Sequence, residues 1–208
     1  MSVTTPIFAT SYFPSITQMA AMSREVFFLI EKKESFPKQT NRNRTIIVTS
    51  NGTQTLSVPC VKPQGTHTMT EDVGISYAER WNVIHWRAIE SAYNSSPYFL
   101  YYQDGISELL LTKYNTLVEL NDAILKHLKK TMKLSFEYDY TNDYLKACDV
   151  EKDYRDIYSY KHPEHLPDPL PYHQVFNDRM PFTGNVGVLD LLFNLGPESK
   201  DYLLSLPL

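Results

Sequence analysis

Five consecutive apolar residues, VFFLI at positions 26–30, constrain the fold more than any other stretch. Unbroken apolar character of this length suits a strand covered on both faces. Residues 6–10 (PIFAT) read as a first buried strand, Ser11, Tyr12, Phe13 and Pro14 interrupt it, and SITQMAAMSRE resumes a helical pattern. Strand, helix and strand make a β-α-β unit with a short crossover helix. Such units form parallel sheets, and their ligands bind beyond the carboxyl ends of the strands, here near residues 10–15 and 31–36.

The next segment predicts a hairpin, with strands over 45–49 and 55–59 joined by a turn at Asn51 and Gly52. Arg42 and Arg44 precede it. In an extended chain they share a face, so two planar guanidinium forks would converge on one phosphate or carboxylate; the alternative is a solvated strand edge protected by charge. Residues 62–72 read as loop, His67 among them as an exposed loop histidine, and 73–77 as a short strand.

Both tryptophans fall in ERWNVIHWRAIESAYNSSPYFLYY, residues 79–102. Trp81, Ile84, His85, Ala88, Ile89 and Ala92 recur at steps of three and four, the spacing of one helical face, while Arg87 and Glu90 point elsewhere. Asn94 to Pro97 stop this helix, and a second begins at Pro97. Polar groups among large aromatics suggest a walled pocket, although Trp86 and Ile89 fit a packed core as well.

Further helices are expected over 98–113 and 114–130, the latter with Asn121 and Asp122 interrupting its polar face and a solvated basic end at Lys126, His127, Lys129, Lys130 and Lys133. A strand candidate spans 134–138. Residues 141–170 resist assignment; His162, Glu164 and His165 lie there, and a surface loop outweighs a metal site at that spacing. The C-terminal part predicts a strand over 172–176 and a helix over 186–195, with Asn185 as N-cap and Gly196 and Pro197 as its end. Asp190 sits within VLDLLF, where an unpaired buried charge would cost about several kcal/mol. A partner such as Arg42, Arg44 or His85 is therefore expected.

Composition narrows the function classes. The 208 residues suffice for one compact domain spanning 1–208 with a real core. A net charge of -4 gives no general attraction to nucleic acid, and the aromatics are not interleaved with a basic stripe. No apolar run approaches the roughly 20 residues that span a bilayer, and the N-terminus lacks a secretory pattern, so a cytoplasmic protein is expected. Cys60 and Cys148 lie outside any CxxC pattern, which indicates neither a zinc site nor a disulfide. The fold class is α/β: a small parallel or mixed sheet with an N-terminal β-α-β unit, a hairpin and several packed helices.

Four blocks, TSYFPSITQMAAM, TNRNRTII, WNVIHWRAIESAYNSSPYFLYY and YHQVFNDRMPFTGNVGVLDLLFNLGPES, occur in that order, and in them the chain resembles the WbqC-like protein family. The likeness covers nearly the whole chain except the loop at 141–170. The family's first block usually carries a tyrosine and an aromatic after the proline; here Ser15, Ile16, Thr17, Gln18 and Met19 follow Pro14. The resemblance implies a transferase-like role on an amino sugar in bacterial surface polysaccharide (O-antigen, lipopolysaccharide) biosynthesis, attaching glycine or another acyl group. It supplies no catalytic residues.

Chemistry supplies candidates instead. An amine that attacks an activated carboxyl needs a base near neutrality and cationic donors for phosphate or oxyanion. His85 is the expected base, oriented by Asp190 or Glu90. Arg42 and Arg44 would grip a diphosphate or acyl phosphate, with Arg87 assisting, and Tyr12, Trp81 and Tyr93 would wall the sugar or base. Gln174 completes the substrate-binding set. The expected partners are a nucleotide-sugar and enzymes of the same polysaccharide pathway; no cofactor is assigned. The opening also looks somewhat like the start of enzymes of the nucleotidyltransferase and pantothenate-synthetase type, but their HxGH signature is absent, and no GxxxxGK[ST] phosphate cradle is present. Two alternatives to a transferase are a binding protein for an anionic sugar nucleotide or partner enzyme, and an assembly role through an apolar patch at DYLLSLPL.

Overall fold

A computed structural model describes residues 4–158 and 169–208. The N-terminal unit forms as expected: β1 (Ile7–Ala9), α1 (Ile16–Arg24) and β2 (Phe27–Glu31). Both strands lie parallel, with Ile7 opposite Leu29 and Ala9 opposite Glu31. β2 is central, because β7 (Glu137–Tyr140) pairs parallel along its other edge, Phe27 opposite Glu137. A single parallel bridge, Ile7 to Asp153, extends the sheet beyond β1, with Tyr154 N–H donating to the Ile7 carbonyl at 2.8 Å. All four segments therefore end on the same side, where the chain turns away at Thr10, Lys32, Thr141 and Tyr154.

The first turn is tightly held. Ser15 caps α1 by accepting from Gln18 N–H, which satisfies one of the donors every helix start leaves open. Phe13 is fully buried with φ of 46°, a left-handed conformation that bulky residues seldom adopt. Its carbonyl accepts from the Thr45 hydroxyl at 3.0 Å, tying the turn to the hairpin.

That hairpin consists of β3 (Arg44–Thr49) and β4 (Gly52–Ser57). Thr49 pairs with Gly52, so Ser50 and Asn51 form the two-residue turn and Gly52, at φ 105°, begins the return strand. The turn thus sits one residue before the expected Asn51–Gly52 position. β5 (Cys60–Val61) and β6 (Gly74–Ile75) make a small antiparallel pair. Three helices follow: α2 (Trp81–Tyr93), α3 (Phe99–Leu111) and α4 (Leu117–Thr131). α4 begins in a capping box between Thr116 and Glu119, a reciprocal pair that closes two open backbone donors.

The chain ends in α5 (Val188–Leu195) and α6 (Ser199–Ser205). Arg24 donates to the carbonyls of Leu204 and Leu206, fastening α6 to α1. Leu203 and Leu206 are buried, and Leu204 and Leu208 are the half-exposed ones, so the C-terminal segment presents two separate leucines and no broad apolar patch.

Three local expectations are corrected. Residues 172–176 form coil and turn instead of a strand. Gly187, not Asn185, occupies the N-cap of α5; Asn185 has φ of 50° and accepts through Oδ1 from the Thr17 hydroxyl at 2.6 Å, so its side chain joins two segments. Gly187 is required there because a Cβ would collide with the Thr45 hydroxyl and the Ile46 carbonyl. Finally, Ile84 is 57% exposed, and Tyr93 completes the buried face of α2 in its place. The reading of His162, Glu164 and His165 falls outside the described residues. Among the described residues, no helix is long and apolar enough to cross a membrane.

Candidate functional site

The carboxyl ends of β1 and β2 carry a buried network of charge. Glu31, the last residue of the apolar central strand, is wholly buried. One of its carboxylate oxygens accepts from Lys33 N–H and the Thr141 hydroxyl, each at 2.6 Å, and the other from Arg155 Nη1 at 3.1 Å. Arg155 reaches it because the bridge at Asp153 lays this segment beside β1. Its guanidinium also forks onto Asp153, at 2.9 and 2.5 Å, and donates to the Leu145 carbonyl at 2.7 Å. Burial alone would raise the Asp153 carboxyl; the hydrogen bonds from Arg155 outweigh it and hold this group below the usual range.

A second pair stands next to the first. Arg42, 1% exposed, binds Glu34 through two parallel hydrogen bonds of 2.5 and 2.8 Å, the planar fork-to-carboxylate geometry that distinguishes arginine from lysine. Asp156 approaches Arg42 Nη2 at 3.8 Å. The backbone at Arg42 is fixed by Asn121, whose amide donates to the Arg42 carbonyl at 2.8 Å and to Thr10 Oγ1 at 3.1 Å. Asn121 is thus buried beneath the site and does not interrupt a solvated helix face. Asn41 donates to the Tyr158 carbonyl at 2.6 Å, closing the far side.

Between the two arginines lies a cavity of about 10 Å³ lined by Ser11, Gln18, Asn41, Arg42, Arg155 and tyrosines 154 and 158. Its volume is about what one water requires. Outward of it runs an open groove of about 340 Å³ lined by Lys33, Glu34, Ser35, Tyr144 and Asp156 among others. Glu34 and Tyr144 join groove and cavity, the first through its bond to Arg42 and the second by lying under the Arg155 guanidinium at 5.3 Å. Four carboxylates, Glu31, Glu34, Asp153 and Asp156, face two guanidiniums here; with Lys32 and Lys33, both paired to Glu71, the count is five carboxylates to four cations, an excess of one. Burial pushes the Glu34 carboxyl up against the pull of Arg42.

The residues singled out from sequence are distributed over several places. Arg42 and Arg44 do not converge: Arg42 is taken by Glu34, whereas Arg44 lines a different groove. The expectation fails because Arg42 precedes the strand and its side chain turns inward. His85 is buried between Tyr12 and Trp81, its Nδ1 2.8 Å from the Tyr12 hydroxyl; neither Asp190 nor Glu90 orients it. Glu90 and Arg87 are exposed on the opposite side of α2. Tyr93 is core, its hydroxyl accepting from Val48 N–H at 3.1 Å, and Trp81 Nε1 is buried without a hydrogen-bond partner. Asp190 is paired, but not with a cation: Tyr172 and Gln174 donate to it at 2.5 and 2.8 Å. Burial pushes its carboxyl up, opposed by these bonds. Gln174 also binds the Thr183 backbone in both directions, so it braces the C-terminal coil.

Burial lowers the His85 imidazole from its ordinary 6.5 to about 4. Between those values the unfolded chain takes up a proton that the folded protein refuses, so stability falls as pH falls through that window, by about 3 kcal/mol at most. Urea unfolding at pH 7 and pH 4.5 is expected to show this loss, and His85→Gln to remove most of it. An unchanged acid limb in the variant contradicts the assignment.

Glu31, Glu34, Asp153 and Arg155 were not selected from sequence as site residues. The strand-end rule pointed to positions 31–36, but nothing local announced that residues 153–156 would return to the same place.

The WbqC-like protein family model matches residues 10–162, a span that holds the whole strand-end network and most of the loop at 141–170 but ends before Asp190 and Gln174. The uncharacterized protein Rv1507c of Mycobacterium tuberculosis is 27% identical over 204 residues, covering 85% of this chain and 87% of its own. No solved structure matches. With nearly three quarters of its length matched by that one model, the chain belongs to the WbqC-like protein family.

Proposed function

We propose that the protein transfers an acyl or aminoacyl group to the amine of a nucleotide-linked amino sugar in bacterial surface polysaccharide biosynthesis, and that the reaction takes place in the groove at the strand ends. The observation that carries the reading is the surplus of carboxylate there. Glu34 and Asp156 line the groove and offer carboxylate oxygens to an ammonium, the lining Lys33 being paired with Glu71, and Glu34, raised by burial yet bordering open space, is suited to remove its proton. The neutral amine then attacks the activated carboxyl carbon, the leaving group departs from the donor, and the proton rests on Glu34. Arg42 keeps Glu34 in one orientation, and Arg155 and Glu31 hold the floor on which that pair stands. A groove of about 340 Å³ is within the size range of small-molecule sites. On this reading Glu34 takes the role that sequence gave to His85, and His85 with Tyr12 supports the fold.

The test is a turnover assay of amide formation on nucleoside-diphosphate amino sugars with a panel of acyl donors. Glu34→Gln keeps the shape and one hydrogen-bond acceptor, and the rate is expected to fall by about 10²- to 10⁴-fold, the range for losing a general base. His85→Gln is expected to lower stability more than rate. Full activity in Glu34→Gln, or equal loss in both, sinks the assignment. Tight binding of the amino sugar with no turnover for any donor favours a binding protein.

A further inference from the structure

A second groove, of about 350 Å³, lies across a strap of chain from the first and has the opposite charge. Residues 33–39 form the strap: Ser35 and Pro37 line the acidic groove, whereas Phe36 and Lys38 line the other. Over 35–38 this alternation is that of an extended chain, whose successive side chains point to opposite faces; Lys33 and Glu34 at one end both line the acidic groove, and Gln39 at the other joins Lys38 in the second. The strap is anchored by backbone hydrogen bonds from Phe36 N–H to the Thr68 carbonyl and from Thr70 N–H to the Glu34 carbonyl, both 2.9 Å. The second groove is lined by Lys38, Arg44 and Lys62 together with the polar side chains of Gln39 and Asn43, and no carboxylate lines it. Among the described residues, none of the three cations has an acidic partner. Arg44 Nε is buried with no hydrogen-bond partner, a loss that a protein seldom sustains without return. Lys62 is held in place over the Phe36 ring at 4.5 Å. Gln39 at the groove's edge has φ of 59°, a strained conformation of the kind that clusters at ligand sites.

We infer that this groove is a diphosphate subsite, with the Arg44 fork and the ammonium groups of Lys38 and Lys62 closing on the phosphate oxygens. The inference rests on the proposed function and deepens it. A nucleotide-linked amino sugar would straddle the strap, its amine in the acidic groove and its diphosphate in the basic one, so that each charge meets its complement. The juxtaposition also accounts for two neighbouring grooves of opposite sign being built on the alternate faces of one anchored segment.

Inorganic pyrophosphate is the probe, because it has neither amine nor acyl group and its binding is read without turnover. Calorimetric titration of the wild type is expected to show binding that weakens with added salt. Lys38→Ala with Lys62→Ala, both at partly exposed positions, is expected to weaken it at least tenfold, and Arg44→Lys, which keeps the charge but not the fork, by a smaller factor. Lys126→Ala, which removes an exposed cation on α4 away from both grooves, is expected to bind as the wild type does. No pyrophosphate binding by the wild type at millimolar concentration, or equal binding by the double variant, overturns the subsite. Pyrophosphate binding that is lost in the double variant upholds the subsite even where no acyl donor gives turnover, so the two readings fail separately.

Discussion

Arg42→Ala is expected to destabilise the protein by about 3–5 kcal/mol, the cost of leaving a buried partner charge uncompensated. Glu34 would lose both charge-assisted hydrogen bonds at once, with its side chain only 12% exposed. Asp156 nearby would add repulsion where Arg42 had stood between them. Proteins of this class hold about 5–15 kcal/mol in all, so the loss is a large share and appears as a fall in melting temperature of roughly ten degrees. Removing both partners together, Arg42→Met with Glu34→Leu, is expected to recover much of it, since replacing a buried pair with apolar groups is far milder than breaking it. Denaturant unfolding of the two variants measures the difference. A loss below about 1 kcal/mol in Arg42→Ala, a value typical of exposed pairs, contradicts the burial and pairing described.

Arg155→Ala is expected to be of similar size, about 3–5 kcal/mol, for a related reason. Glu31 is wholly buried, and Asp153 holds both bonds of the same guanidinium, so two carboxylates lose their counter-ion in one substitution. The converse change is milder. With Glu31→Gln, Arg155 keeps Asp153 and the Leu145 carbonyl, and the amide oxygen still accepts from Lys33 N–H and Thr141. Less than half the destabilisation of Arg155→Ala is expected. Equal effects in the two variants would mean that the pair, and not the arginine's several bonds, carries the stability.

These networks explain which features were legible in the chain. VFFLI identified the central strand because its apolar run is unbroken, but the strand is not covered on both faces: Phe28 and Ile30 are buried, whereas Phe27 is 44% exposed and Val26, just before the strand, 85%. The crossover helix, the hairpin and α2 followed from equally local signals: a break at Pro14, a turn at Asn51 and Gly52, and three- and four-residue spacing. The strand-end rule then located the neighbourhood of Glu31 and Glu34. What the residues could not reveal was long-range pairing. Arg42 seeks Glu34 because both are removed from water together, a fact absent from either local sequence. Arg155 arrives from over a hundred residues away on a stretch with no periodicity. The strand expected over 172–176 failed because Tyr172 and Gln174, which have strand-like spacing, are both recruited by Asp190 into an irregular brace. His85 is ambiguous in the sequence because a histidine among aromatics reads alike in a pocket and in a core; in the fold it is buried against Tyr12 and Trp81.

The most direct measurement of the central claim is backbone hydrogen exchange of the full chain with and without a nucleoside-diphosphate amino sugar. The account predicts added protection concentrated at residues 31–44 and around Tyr144 and Asp156, on both sides of the strap. Protection centred on Trp81, His85 and Tyr93 instead would contradict it and return the site to the aromatic helix.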